Sequence, residues 1–229
     1  MTLAPLFDLD GTLADSLELI LGAVRHTFQT HVGFVPPDHA WIAGLGTPLA
    51  TQLRALVGDE SMVPPMIATY RDWQNQHHDA LMREFDGVRD TLALLHARGH
   101  PMALVTSKAN EPARRALRLL GIEPYISHVV GLDSTPVHKP NPEPVLHALD
   151  LLHRSPNDAL FVGDSPHDIA AGNAAGVSTV GALWGPFSRA ALEAAHPRFL
   201  IAHIRELPAL IATLPAAPPH GPPTPASRP

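Results

Sequence analysis

Residues 7–16 read FDLDGTLADS, and this stretch decides the fold. It closes an apolar run, residues 3–7, and sets two aspartates, Asp8 and Asp10, two positions apart. In extended backbone, residues i and i+2 point the same way. Both carboxylates therefore face one side and Leu9 the other. Gly11 permits a sharp turn and exposes backbone N–H groups able to cradle a phosphoryl oxyanion. In an open α/β sheet, ligands bind in the crevice beyond the carboxyl ends of the strands.

Further apolar runs follow at residues 102–105, 128–131, 159–162 and 179–182. Amphipathic stretches lie between most of them. Asn110 stands as a cap ahead of a helical run at 111–120 that Gly121 ends, and Gly176 ends a run from His167 that Gly172 interrupts. The β–α–β–α rhythm predicts an α/β fold, a Rossmann-like, doubly wound, mostly parallel sheet with helices on both faces. The rhythm breaks once, between residues 16 and 83, where no strand pattern occurs. Asp15 and Glu18 have capping-box spacing ahead of LELILGAVRHTF. Residues 48–57 and 62–82 also read as helices. The expected organisation is a sheet domain from residues 1–15 and 84–214, an inserted all-helical cap over 16–83, and a tail over 215–229. Seven of the 25 prolines fall in that tail, PAAPPHGPPTPASRP, which reads as a disordered or polyproline-like extension outside the packed fold.

Three more groups stand at or just beyond strand ends. Thr106, beside Ser107, follows the run MALV and can offer a hydroxyl to an anion. Lys139 lies in HKPNPEP, ahead of a helix expected from Asn141 or Pro142. It is one of two lysines in the chain, the other being Lys108. A compact ammonium near carboxylates can neutralise a nucleophile and hold phosphate. GDSPHD then places Asp164 and Asp168 four apart across a strand-to-helix turn. Four carboxylates converging at one sheet edge are costly without a cation, and an oxygen-only donor set suits Mg²⁺.

Composition narrows the field. The 229 residues carry 22 acidic and 16 basic side chains and no cysteine, for a formal charge of −6. Disulfides, thiol nucleophiles and Cys-ligated metals are excluded. The acidic balance argues against nucleic acid as a partner, and no apolar stretch approaches the ~20 residues of a membrane span. The N-terminal segment lacks a basic region followed by an apolar one, so the expected location is cytoplasmic. The 15 histidines are scattered without metal-ligand spacing, and most read as surface residues.

Together, DLDGT, the Thr106 position, KPNPEP and GDSPHD resemble the four signature motifs of the haloacid dehalogenase superfamily, over residues 3–214. The helical insert resembles its C1-type cap. FDGVRDTLALLHARGHPMALVTSK and VGALWGPFSRAALEAAHPRFLI are similar to the phosphoglycolate phosphatase and PpaX-type pyrophosphatase branch. Asp86 departs from that branch, which often has proline there. The resemblance implies that Asp8 attacks phosphorus to form an aspartyl-phosphate. It makes Asp10 the acid and then the base. Thr106 and Lys139 would hold the phosphoryl group. Asp8, Asp164 and the backbone carbonyl of Asp10 would bind Mg²⁺, with Asp168 assisting.

Asp10 favours phosphoryl transfer over dehalogenation, which has no leaving oxygen to protonate. The absence of lysine from residues 16–83 argues against a Schiff-base phosphonatase. The loop IAGLGTPL, residues 42–49, carries no charge, which disfavours a β-phosphoglucomutase-like phosphotransferase. A non-catalytic binding protein would not need every one of these groups. Substrate contacts are expected from Thr106, Ser107 and Lys139, with Gly44 and Gly46 of the cap loop approaching a ligand closely. Arg54 and Arg71 are the candidate cap cations. The expected substrate is a small phosphorylated dianion, 2-phosphoglycolate or pyrophosphate, and the expected state a monomer or homodimer. Deleting residues 216–229 is expected to leave the melting temperature and turnover unchanged; a large drop in melting temperature would show that the tail packs on the fold.

Overall fold

A computed structural model describes residues 2–214; the proline-rich tail lies outside them. The chain opens with β1 (Ala4–Phe7) and a two-residue strand β2 (Ala14–Asp15). Four helices follow: α1 (Leu17–His31), α2 (Asp38–Ile42), α3 (Leu49–Val57) and α4 (Val63–Leu81). Strand β3 (Arg83–Glu84) leads back to α5 (Val88–Ala97), β4 (Ala103–Val105), α6 (Asn110–Leu119) and β5 (His128–Val130). Then come α7 (Glu143–Leu152), β6 (Ala159–Gly163), α8 (Pro166–Ala175) and β7 (Ser178–Ala182). Helix α9 (Arg189–Ala194), β8 (Phe199–Ile201) and α10 (Leu207–Thr213) complete the fold.

Six strands form one parallel sheet in the order β5-β4-β1-β6-β7-β8. Counting only these strands along the chain, the order is 3-2-1-4-5-6, the doubly wound arrangement expected from sequence. Alternation within each strand feeds two cores. Phe7, Leu104, Leu160 and Val162 pack with α5, α6 and α10. Leu6, Ala103, Val105 and Phe161 pack with α7 and α8 on the other face. A third core joins α1 to α4, with Trp41 set edge-on to Phe28 and stacked near Tyr70.

Several local expectations are corrected. The Asp15–Glu18 capping box does not form: the helix cap is Ser16, without a side-chain bond. Asp15 is instead held in the antiparallel β2–β3 ribbon opposite Arg83, where the two chain crossings between the helical segment and the sheet run side by side. Asn110 does not cap α6; its side chain receives Gly131 N–H at 3.1 Å and donates to Ser134 at 2.9 Å. The helix after Lys139 starts at Glu143, because the Asn141 side chain accepts the Glu143 N–H at 3.0 Å in a turn of its own. Gly172 does not interrupt α8. It lets the helix lie against the sheet, since a Cβ there would sit 2.5 Å from Thr179 Cγ2. Strand β8 and the β2–β3 ribbon are additions to the sequence reading. At the helical segment's return, Asp86 accepts from both terminal nitrogens of Arg205.

Helix α7 offers a test of the packing. Leu149 is 2% exposed against the sheet, whereas Leu146, one turn back, is 39% exposed. Leu149→Ala should cost about 2–5 kcal/mol in urea unfolding, and Leu146→Ala less than about 1 kcal/mol. Equal costs would contradict this placement of α7.

Candidate active site

Every strand of a parallel sheet ends at the same edge, so residues remote in sequence meet there. Asp8 continues β1 by one ladder bond, its N–H donating to Val162 O at 2.9 Å. Leu9 O then accepts from the N–H groups of Thr12, Leu13 and Ala14, and Gly11 takes φ +86°. This tight turn folds the chain back over the strand end. Asp164 follows the adjacent β6. Asp8 and Asp164 thus stand on the two strands flanking the point where strand order reverses, the position where such sheets bind ligands.

Asp8, Asp164 and Asp168 are buried, each with a carboxylate oxygen within 4.8 Å of the others. Lys139, also buried, reaches Asp8 Oδ1 at 2.9 Å and Asp168 Oδ1 at 2.6 Å. It also donates to Val105 O at 3.2 Å. Ser165 caps α8 and donates its N–H and hydroxyl to Asp168 Oδ2 at 3.0 and 2.6 Å. Both oxygens of Asp168 are therefore engaged by protein groups. Thr12 donates its hydroxyl to Asp164 Oδ1 at 2.8 Å. A Cβ at Gly11 or Gly185 would lie within 2.8 Å of the Asp164 carboxylate, so glycine at both positions makes room for it.

Burial pushes the Asp8 carboxyl up to about 7; Lys139 opposes the shift, and Asp168 and Asp10 add to it. Asp164 is raised well above an ordinary carboxyl by burial, then by Asp168 and Asp8. Burial works against the charge of Lys139, but Asp168 and Asp8 outweigh it and raise its pKa above that of free lysine. Three carboxylates share one ammonium, and the unrelieved repulsion falls on Asp8 and Asp164. An all-oxygen set of this charge fits a hard divalent cation.

The remaining groups of the sequence reading fall at different distances from this centre. Thr106 is buried at the end of β4, and its hydroxyl oxygen accepts the Lys108 N–H at 3.2 Å. Ser107 donates its hydroxyl to Gly46 O at 2.6 Å, a bond between sheet and helical segment. Gly46, at φ +91°, brings the cap loop against the sheet; a Cβ there would meet Ser165 Oγ at 2.7 Å. Gly44 does not line the cavity over the site. It shapes the loop by accepting the Thr47 N–H and hydroxyl. Arg54 points elsewhere, pairing with exposed Glu60 at 2.8 Å, while Arg71 lines the cavity rim.

Sequence reasoning passed over four contributors. Lys108 Nζ contacts Asp10 Oδ1 at 3.0 Å. The TSK tripeptide following β4 is the only local sign of it. Trp184 and Gly185, beyond β7, close another side; the Trp184 indole donates to Thr12 O at 3.0 Å. His78 is buried beside the cavity, unlike the surface histidines expected, because Asp79 at 2.7 Å partners its ring.

With this geometry in view, comparison with known proteins gives a single answer. The family model for haloacid dehalogenase-like hydrolases matches residues 6–182. The chain belongs to that family. It is 39% identical over 174 residues to the pyrophosphatase PpaX of Halalkalibacterium halodurans, covering 76% of this chain and 80% of that one. It is 35% identical over 206 residues to the pyrophosphatase PpaX of Bacillus pumilus, covering 90% and 94%. Among solved structures, a haloacid dehalogenase-like family hydrolase from Streptococcus pneumoniae superposes with a TM-score of 0.80 at 25% identity, covering 91% of this chain and 98% of that one. A predicted phosphatase from Clostridium acetobutylicum gives 0.84 at 25% identity, covering 93% and 100%. This hydrolase has no helix among its described residues long and apolar enough to cross a membrane.

The raised carboxyls carry a pH signature. In the unfolded chain an aspartate titrates near ~3.9, whereas folded Asp8 titrates at about 7. The metal-free folded hydrolase therefore keeps a proton that the unfolded chain has lost. Its stability from this group is present below the unfolded value and is lost as pH rises toward 7. A bound cation needs the ionised form, so its stabilisation grows across the same window. The rise in melting temperature on adding excess MgCl₂ should be larger at pH 8 than at pH 5, and Asp164→Asn should flatten that difference. An equal rise at both pH values would contradict the assignment.

Proposed function

We propose that this hydrolase is a Mg²⁺-dependent phosphatase acting through an aspartyl-phosphate, on a phosphomonoester or pyrophosphate. The observation that carries the reading is the convergence of Asp8, Asp164 and Lys139 at the sheet's switch point, beside Asp10 and Thr106. Asp8 is the nucleophile. Its carboxylate oxygen bonds to phosphorus as the bond to the leaving oxygen breaks. Lys139 favours the ionised form of Asp8 against the effect of burial and keeps its carboxylate aimed. Asp10 protonates the departing oxygen, then takes a proton from the water that attacks the aspartyl-phosphate, releasing inorganic phosphate and restoring Asp8. Thr106 and Lys139 steady the phosphoryl oxygens.

Asp8 and Asp164, with the Asp10 backbone carbonyl, would hold Mg²⁺, and Asp168 supports the set by fixing Lys139. When bound, the ion offsets the repulsion between an anionic nucleophile and an anionic phosphate. The contacts of Ser107 with Gly46, and of Gly46 with Ser165, support a role for the helical segment as a lid that limits water at the reacting centre. The named activity of the PpaX relatives supports pyrophosphate as one substrate within this class, and 2-phosphoglycolate is the organic ester to try beside it.

The test is phosphate release with and without Mg²⁺ from pyrophosphate, 2-phosphoglycolate, glucose 1-phosphate and p-nitrophenyl phosphate. Mg²⁺-dependent release from at least one is expected. Asp8→Asn should lower kcat by about 10⁴-fold. Full activity in Asp8→Asn would overturn the mechanism.

A further inference from the structure

The carboxylate cluster occupies one end of a cavity of about 580 Å³. That volume lies in the range that encloses a drug-sized ligand. A phosphoryl group bearing only glycolate or a second phosphate fills a small part of it. The wall facing the cluster comes from the helical segment and is mostly apolar, built from Leu17, Ile20, Trp41, Leu45, Leu49 and Tyr70, with Gln52, Gln74 and His78 among the polar side chains beside them. Phe85 and Trp184 continue it on the sheet side. The aromatic part is held in place, Trp41 lying between Phe28 and Tyr70 with ring centroids 6.4 and 6.2 Å away. Such a surface is organised before a ligand arrives.

Charge points the same way. A pyrophosphate or glycolate leaving group brings a second anion into the cavity and needs cations there. Three cationic side chains line it: Arg71, Lys108 and Arg115. Lys108 is paired with Asp10 at 3.0 Å, and Arg115 with Asp79 at 2.8 Å. Arg71 is exposed at the rim. Asp8, Asp10, Asp15 and Asp164 line the same space. An uncharged, largely apolar group matches most of the distal wall, where Arg71 at the rim is the one lining Lys or Arg without a carboxylate partner among the described residues.

The geometry points to a phosphomonoester whose leaving group is a bulky, uncharged, largely apolar alcohol as the preferred substrate. The inference rests on the phosphatase reading above and narrows it. It also departs from the small dianion expected from sequence.

The experiment holds leaving-group chemistry constant by using primary alkyl phosphates: ethyl, butyl, 2-phenylethyl and 2-(1-naphthyl)ethyl phosphate. Pyrophosphate and 2-phosphoglycolate are assayed beside them with the full chain and Mg²⁺. Burial of each added methylene should raise kcat/KM about fourfold until the cavity is filled, and the largest esters should exceed both dianions. Leu49→Trp, which fills the distal space, should lower the ratio of naphthylethyl to ethyl phosphate turnover at least about tenfold. Leu45→Trp serves the same purpose if the first variant does not fold. A flat or falling series, or a preference for pyrophosphate or 2-phosphoglycolate, overturns this inference and leaves the phosphatase reading standing. No Mg²⁺-dependent release from any compound overturns both.

Discussion

Buried among Asp8, Asp164 and Asp168, the Lys139 ammonium meets two carboxylates at once, at 2.9 and 2.6 Å. Neither sign of charge could be buried here alone. Remove the lysine, and three carboxylates crowd a dry edge of the sheet. Remove the carboxylates, and an ammonium is left beside the Phe161 ring. The group is still unbalanced as it stands, with one ammonium among three carboxyl groups, and burial raises the pKa of two of them, Asp8 and Asp164. That unmet demand for positive charge is what makes the site receptive to a divalent ion. It also explains why so much of the surrounding backbone is given over to positioning. Glycines at 11 and 185 admit the Asp164 carboxylate, and Ser165 fixes the far side of Asp168.

The parallel sheet is what brings such costly groups together. Asp8 and Asp164 lie on adjacent strands whose register is fixed by a continuous ladder from Ala4 opposite Ala159 to Phe7 opposite Val162. The strands place the two carboxylates, and the loops beyond β4 and β5 bring Lys108 to Asp10 and Lys139 to Asp8. The helical segment is tied to this frame differently. It leaves and returns through the two-residue β2–β3 ribbon and touches the sheet again through Ser107 and Gly46. Leu19 and Met82 of the segment also join the core on one face of the sheet, and Asp79 pairs with Arg115 of α6 at 2.8 Å.

Much of this was legible in the sequence because the relevant signals are local. A continuous apolar run marks β1, the period-two geometry of extended backbone gives the shared direction of Asp8 and Asp10, and the order of apolar runs gives the parallel sheet. The short elements escaped. Strand β8 is three residues long and only its last is fully buried, so it carries no alternation to read. The β2 and β3 strands owe their form to each other, not to their residues. Asp15 looked like half of a capping box until the ribbon claimed its backbone. Lys108 meets Asp10 across 98 positions, and Trp184 meets Thr12 across 172. Nothing in either neighbourhood encodes such a meeting. The cavity's apolar wall was hidden for the same reason: Leu17, Trp41 and Tyr70 look like ordinary helix-core residues until four helices assemble.

Asp8 and Asp10 show how far environment, and not residue type, sets chemistry. They are the same side chain two positions apart on one strand end, each with one of the chain's two lysines. Asp8 is almost fully buried, and its lysine is locked between two carboxylates. Its geometry is fixed and its charge poorly solvated, which suits an oxygen that must bond directly to phosphorus. The Asp10 side chain is 22% exposed, and its lysine is itself partly open. A carboxylate in contact with the cavity and with water can pass a proton in each direction as the reaction needs. Period-two geometry sends both groups to the same place, and the difference in burial then divides the labour between them.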